Sequence, residues 1–256
     1  MSSSKLELTA LAHVPMVQDG DDVAALLVAA CARSGVVLQD RDVMVIAQKI
    51  ISKAEGRRIK LDDVTVGSEA RKLAEETEKD PRVVELILSE ANRVVRARPG
   101  LIIVEHRLGF VMANAGIDLS NTGAADGGDY ALLLPVDPDG SAEAIRAALA
   151  QTAGADVAVV INDSFGRPWR HGTVGVAIGV AGLPAMVDLR GSPDLDGREL
   201  LVSITGFADE ISAAASLLMG QGSEGLPAVV VRGLQWRGEA SGAAALVRPA
   251  EGDLFR

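Results

Sequence analysis

The sequence predicts an α+β fold in which mixed and antiparallel sheets are flanked by helices. Two observations lead there. Short apolar runs rich in Val, Ile, Leu and Ala are bounded by turn signals, as buried strands are. Helical and strand segments mix without a regular βαβ rhythm, which disfavours a doubly wound parallel sheet. Of the 256 residues 48% are hydrophobic but only 3% aromatic, so the core is aliphatic. The 27 glycines supply tight turns and close backbone approaches.

Residues 6–11 read as a first strand, and 14–20 as a loop. Asp21 or Asp22 caps a helix to about Ser34, with Gly35 as its stop. Residues 43–47 form a buried strand that leads into 48–57, QKIISKAEGR. Residues 68–79 are a charged, exposed helix, and Pro81 opens another that runs to about Asn92. Residues 94–98, 101–105 and 109–113 pattern as strands. The polar, Gly-rich stretch 114–129 is long enough for a functional loop. A strand over 130–135, a turn at 137–140 and a helix over 141–152 follow. Strands are expected at 157–161, 172–180, 185–189, 198–205 and 228–231, with a helix over 207–219. The tail 234–256 has weak periodicity.

A net charge of −10 argues against a general nucleic-acid or anionic-membrane binder. Cys31 is the single cysteine, which excludes an intrachain disulfide and a cysteine zinc site. The N-terminus lacks a signal pattern, and no apolar stretch reaches about 18 residues. A soluble cytoplasmic protein of one domain over 1–256 is the expectation.

Four segments carry polar groups in patterns that suit chemistry. The strand 157–161 stops at Asn162, and Asp163, Ser164, Arg167 and Arg170 follow it. A carboxylate and a hydroxyl suit a hard divalent cation, and two guanidiniums suit phosphate or carboxylate. In 48–57, Lys49, Ser52 and Lys53 follow a buried strand, as a phosphate contact or as a solvated turn. In 114–121, NAGIDLSN, Asp118 is a metal ligand and Asn121 an orienting amide, or both serve an Asx turn. In 219–226, MGQGSEGL, three glycines bring backbone amides close to a ligand, or simply end a helix. No Walker A loop, no G-x-G-x-x-G after a strand and no G-x-S-x-G elbow occurs. His13, His106 and His171 are scattered, which disfavours a zinc site.

Together the segments resemble the coenzyme F-420-0:L-glutamate ligase (gamma-glutamyl ligase) family. The resemblance rests on QKIISKAEGR (48–57), GFVMANAGIDLSN (109–121), LLLPVDPDGSAEAIR (132–146), VINDSFGRPWR (160–170) and VAIGVAG (176–182). DLRGSPDLDGREL (188–200), ADEISAAASLLMGQ (208–221) and PAVVVRG (227–233) continue it, in order, from about Leu11 to Gly233. It implies a GTP-dependent ligase that adds L-glutamate, γ-linked, to the carboxylate of a deazaflavin precursor through an acyl phosphate. GDP and phosphate are released, with Mg²⁺ or Mn²⁺ as cofactor and K⁺ as an additional candidate ion. The alternative is a related ligase for a different carboxylate.

The resemblance also implies an unusual fold that forms an intertwined homodimer, without the C-terminal nitroreductase-like domain of some relatives. Asp118 and Asp163 would hold one divalent ion, and Ser164 with Gln221 a second. Nucleotide contacts fall to Val14, Pro15, Met16 and Val17, to Gln48, Lys53 and Asn121, and to Met219, Gly220, Gln221, Gly222, Ser223, Glu224, Gly225 and Leu226. Charge alone assigns Arg167 and Arg170 to phosphate or substrate carboxylate. Two departures stand out: Gly172-Thr173-Val174-Gly175 where many relatives read Gly-Gln-Thr-Asp, and Asn162 where Ser is commoner.

Overall fold

The computed structural model describes residues 5–120 and 128–253. In chain order, strand β1 (Glu7–Ala10) precedes helix α1 (Val23–Arg33), and β2 (Val43–Ala47) runs directly into α2 (Gln48–Ala54) and β3 (Arg58–Lys60). Helices α3 (Ser68–Thr77) and α4 (Pro81–Ser89) lead to β4 (Ala91–Arg98), β5 (Leu101–His106) and β6 (Val111–Ala113). Next come β7 (Tyr130–Leu132), α5 (Pro138–Ala153) and the long hairpin of β8 (Ala158–Arg167) and β9 (Arg170–Ala181). The two-residue strands β10 (Val187–Asp188) and β11 (Ile204–Thr205), then α6 (Phe207–Met219) and β12 (Ala228–Arg232), complete the regular elements.

The mixed α+β architecture matches the expectation. A five-stranded sheet has the order β1–β12–β2–β8–β9. Only β2 and β8 pair in parallel, with Val43 opposite Ala158 and Ala47 opposite Asn162. Strand periodicity sends alternate side chains to opposite faces. Met44, Ile46, Val159 and Ile161 join a core with α1 and α5, whereas Val43, Val45, Val160 and Val229 pack with Ala208, Ile211 and Ala215 of α6. Both faces are covered, so these strands read as continuous apolar runs.

A second core lies where α3 and α4 cover the antiparallel β4–β5–β6 sheet. Glu90, buried just past α4, ties this unit to the connection between α2 and β3. Its carboxylate accepts from Arg57 Nη2 at 2.8 Å and from Arg107 Nε at 2.9 Å. His106 Nδ1 accepts from the Leu108 N–H, so Nε2 carries the imidazole proton and lies 3.4 Å from Glu90 Oε2. Desolvation of Glu90 is outweighed by these donors, and its pKa falls to about 2.

Several boundaries differ from the sequence reading, each for a local reason. Segment 48–54 is a helix rather than a turn: Ile50 and Ile51 bury, but no side chain caps its start, so the usual entry signal is missing. The turn expected at 137–140 is the first turn of α5, capped by Asp137 Oδ1 on the Gly140 N–H at 3.0 Å, with Pro138 in the first turn. Helix α4 stops at Ser89, and β4 begins at Ala91. Of 198–205, only Ile204–Thr205 is strand. Strand β8 does not end at Ile161 but continues to Arg167, because β9 pairs with it as far as Arg170.

Candidate functional site

The parallel strands β2 and β8 reach the same end of the sheet, and in α/β arrangements polar ligands collect beyond the carboxyl ends of such strands. Here α2 leaves β2 at Gln48 and carries Lys49 and Lys53. The Ala47 N–H donates to Pro227 O at 2.8 Å, which brings the far end of the 219–226 loop to the same place.

Asp118 arrives from the other sheet. After β6, Asn114, Ala115 and Gly116 take φ values of 50°, 53° and 67°, a left-handed run. Non-glycine residues there cost roughly 1–3 kcal/mol each and persist where the surroundings fix them. Ala115 is fully buried, and Asn114 Oδ1 accepts from the Ile102 N–H at 3.3 Å. A Cβ on Gly116 would lie 2.6 Å from Met112 Cε. The chain then pairs as an isolated bridge with Leu132 at Asp118 itself.

Asp118 Oδ1 accepts from Ser120 N at 2.6 Å and from Ser120 Oγ at 2.7 Å, the Asx turn legible in the sequence. Its Oδ2 lies 2.5 Å from Lys49 Nζ, a pair with each side chain about one-third exposed. Burial opposes ionisation of Asp118, but the bonds from Lys49 and Ser120 outweigh it and lower its pKa.

Asp163 lies in β8 one residue past Asn162, the last β8 position paired with β2. Its carboxyl is held up at about 7, first by desolvation and further by the negative charge of Asp118, against the Ser164 backbone N–H and Lys49. Asp118, Asp163 and Lys49 therefore act on one another electrostatically. Two carboxylates whose charges repel form a donor set that suits a hard cation. Among the described residues, no three His, Cys, Asp or Glu side chains converge to hold a metal.

Beside α2, Val17, Gln18, Asp19, Lys53, Gly56 and Arg58 line a small cavity. The loop is pinned there by the Gly20 N–H on Ala54 O at 2.9 Å. Gly56 has φ +66°, and a Cβ on it would come 2.8 Å from Asp19 Oδ1, so glycine is required. Desolvation, then the charges of Lys49 and Arg58, lower the Lys53 pKa. Such crowded cations mark a place for a polyanion. The expectation for Val17 and Lys53 thus falls on one cavity; Met16 is exposed nearby. Arg58 and Asp19 were missed by sequence reasoning, although the basic run Arg57-Arg58-Ile59-Lys60 was visible.

Other expected residues lie elsewhere. Gln48 is 3% exposed, and its Oε1 accepts from Ser52 Oγ at 2.8 Å, so its amide is turned onto its own helix. Asn162 Nδ2 reaches Ser216 Oγ and Met219 Sδ of α6, so strand alternation puts Ser164 on that side and Asp163 on the opposite one. Gln221 is exposed beyond α6, on a loop where Gly222 N–H donates to Glu224 Oε2. Arg167 and Arg170 face each other across the hairpin tip. Four residues of strand, about 13 Å, separate Arg167 from Asp163. Asn121 lies outside the described residues.

Comparison with known proteins identifies the chain as a ligase. Residues 12–233 match the family model described as F420-0:Gamma-glutamyl ligase. The coenzyme F420:L-glutamate ligase of Methanothermobacter thermautotrophicus is 47% identical over 253 residues, 98% of this chain and 99% of that one. The protein of the same name from Methanopyrus kandleri is 47% identical over 245 residues, 94% and 93% of the two chains. That from Halobacterium salinarum is 43% identical over 249 residues, 95% and 92%. The chain belongs to the F420-0:gamma-glutamyl ligase family.

Proposed function

We propose that the chain joins L-glutamate to the carboxylate of coenzyme F-420-0 at the expense of GTP, by way of an acyl phosphate. Similarity along nearly the whole chain to ligases of that name supports the substrates. The observation that carries the chemistry is the Asp118–Asp163 pair beside Lys49, Lys53 and Arg58.

A carboxylate is a poor acyl donor. Transfer of the γ-phosphoryl group to its oxygen forms a C–O–P bond and releases GDP. The glutamate amine then attacks the acyl carbon, the C–N bond forms, and phosphate departs with the C–O bond pair. The amine proton passes to phosphate or water. Phosphoryl transfer depends on positioning and on neutralising charge. A divalent ion, Mg²⁺ or Mn²⁺, would neutralise phosphate charge and would be held by Asp118 and Asp163, which already raise one another's cost of ionisation. Lys53 and Arg58 hold phosphates, and Val17 with the 14–17 turn covers the nucleotide. Ser164 and Gln221, on the α6 side, are left as ligands of a second ion.

Large apolar side chains are exposed on the segment after β9 (Leu195, Leu201 and Val202) and on α6 (Leu217). Such surface marks an interaction site and supports a homodimer. Among the described residues no helix is long and apolar enough to cross a membrane.

Mass spectrometry of a reaction containing coenzyme F-420-0, L-glutamate, GTP and Mn²⁺ tests the reading. GTP-dependent gain of glutamyl units is expected. No gain, with GTP still bound, overturns the acceptor and moves the reading to a ligase for another carboxylate.

A further inference from the structure

The β8–β9 hairpin also borders a cleft of about 230 Å³, distinct from the cavity at Lys53. Its lining includes Phe110, Phe165, Val176, Asp209, Val247 and Arg248. Phe110 and Phe165 meet edge to face, with centroids 6.0 Å apart and planes at 74°. Phe165 is two residues beyond Asp163 on β8, and Val176 is the β9 residue paired with Asp163. Residues two apart on a strand share a face about 7 Å apart. The apolar wall of the cleft is therefore continuous with the face that carries Asp163.

The charged groups that line the cleft are Asp209, Arg248 and Asp253. Asp209, in the first turn of α6, accepts from the Ala177 N–H through Oδ1 at 2.9 Å. Its Oδ2 has no hydrogen-bond partner among the described residues. Arg248 lies at the cleft too. An aromatic wall with a few polar groups beside it is how sites hold a flat heterocycle in one orientation. Ligand pockets start at roughly 300 Å³, so this cleft has room for a ring system alone, with the rest of the ligand outside it.

We infer that this cleft is the subsite for the flat heteroaromatic ring of the carboxylate acceptor, packed against the edge-to-face pair of Phe110 and Phe165 with its ring N–H on Asp209 Oδ2. The inference rests on the acceptor proposed above, whose deazaflavin carries a pyrimidinedione edge: one N–H between two carbonyl oxygens. Asp209 accepts from the N–H. The acceptor's tail then leaves the cleft past Val176 and brings its carboxylate toward Asp163, where the phosphoryl group arrives.

Two variants test it, with coenzyme F-420-0 binding followed by the ligand's own fluorescence. Val247→Trp fills the cleft from its rim, and binding is expected to weaken at least tenfold. Asp209→Asn keeps an oxygen for Ala177 N–H but can present an amide N–H to the ring N–H; a loss of about tenfold is expected. GTP binding in the presence of Mn²⁺ serves as the control for an intact fold. Wild-type acceptor affinity in both variants overturns the subsite while glutamylation by the wild type still upholds the proposed function. Failure of the wild type to bind or glutamylate coenzyme F-420-0 overturns the function and the subsite together.

Discussion

Lys49 Nζ lies 2.5 Å from Asp118 Oδ2, so its ammonium occupies the place a cation on that oxygen would take. The pair offsets the charge of Asp118, which acts on the nearby Asp163 carboxyl. In the proposed function a divalent ion bound at Asp118 would displace Lys49, whose amine would be free to pair with phosphate. Lys49→Met removes the competitor. Mn²⁺ binding to the nucleotide-free protein is expected to tighten about tenfold, near 1.4 kcal/mol, while GTP binding weakens. Electron paramagnetic resonance titration of free Mn²⁺ measures the first effect. Unchanged Mn²⁺ affinity refutes displacement.

Asp163 and the hairpin-tip arginines separate in function if the cation sits at Asp118 and Asp163. Asp163→Asn keeps the size of the side chain and removes the charge. Mn²⁺-dependent GTP binding is expected to fall at least a hundredfold. Arg170→Ala, at an exposed position beyond the site, is expected to change that binding less than twofold. Calorimetric titration of both variants decides it: an equal loss in the two would place the phosphates at the hairpin tip instead.

The Glu90 cluster sets an acid limit on stability. Its folded pKa is about 2, below the ordinary 4.5, so its contribution is fully present above about pH 4.5. That contribution is lost as pH falls from there toward 2, and the shift corresponds to on the order of 3 kcal/mol. Glu90→Gln leaves Arg57 and Arg107 without a buried anion and is expected to cost about 3–5 kcal/mol near neutrality. Urea unfolding from pH 7 to pH 3 should show a gap between the two proteins that narrows in acid. A constant gap across that range would contradict the linkage.

The apolar surface after β9 predicts an assembly. Leu217 and Val202 are more than four-fifths exposed, on α6 and on the segment between β10 and β11. If the proposed homodimer forms through this surface, Leu217→Asp with Val202→Asp is expected to convert it to a monomer by light scattering after gel filtration, without loss of helix content. A wild-type monomer at micromolar concentration would remove the dimer from the proposal.

The parts of the fold legible in the sequence were those with local signals. Asp22 caps α1 as its spacing suggested, and the apolar run through Val160 is a fully buried strand. The start of α2 escaped because a strand feeds it directly, without a cap. At the site, Asp118 was legible through its Asx turn and Asp163 through the abrupt change from apolar to polar. What the sequence could not show is the meeting of chain segments: Lys49 and Asp118 are 69 positions apart, and Arg58 joins Lys53 only because β3 turns back beside α2. The reading of Arg167 and Arg170 followed charge alone, and the long pairing of β8 with β9 carries them away from Asp163.

The same pairing sets the packing of Gly175 against Asn162. Gly175 is buried beneath α6, and a Cβ there would lie 2.2 Å from Ser216 Oγ, 2.5 Å from the Ser212 carbonyl and 2.6 Å from Asn162 Oδ1. Asn162 is thus accommodated by the absence of a side chain at 175, and the two positions form one packing unit on the α6 side, away from Asp163. Gly175→Ala forces α6 outward and is expected to cost about 1–3 kcal/mol, which for a chain of this size lowers Tm by roughly 2–4 °C per kcal/mol. Asn162→Ser in the same chain removes one of the three contacts, so the double variant should recover part of that loss while the Ser212 carbonyl keeps it below wild type. Differential scanning calorimetry of the two single variants and the double variant gives the coupling. Strict additivity of the two substitutions would show that Asn162 and Gly175 are independent and do not share packing.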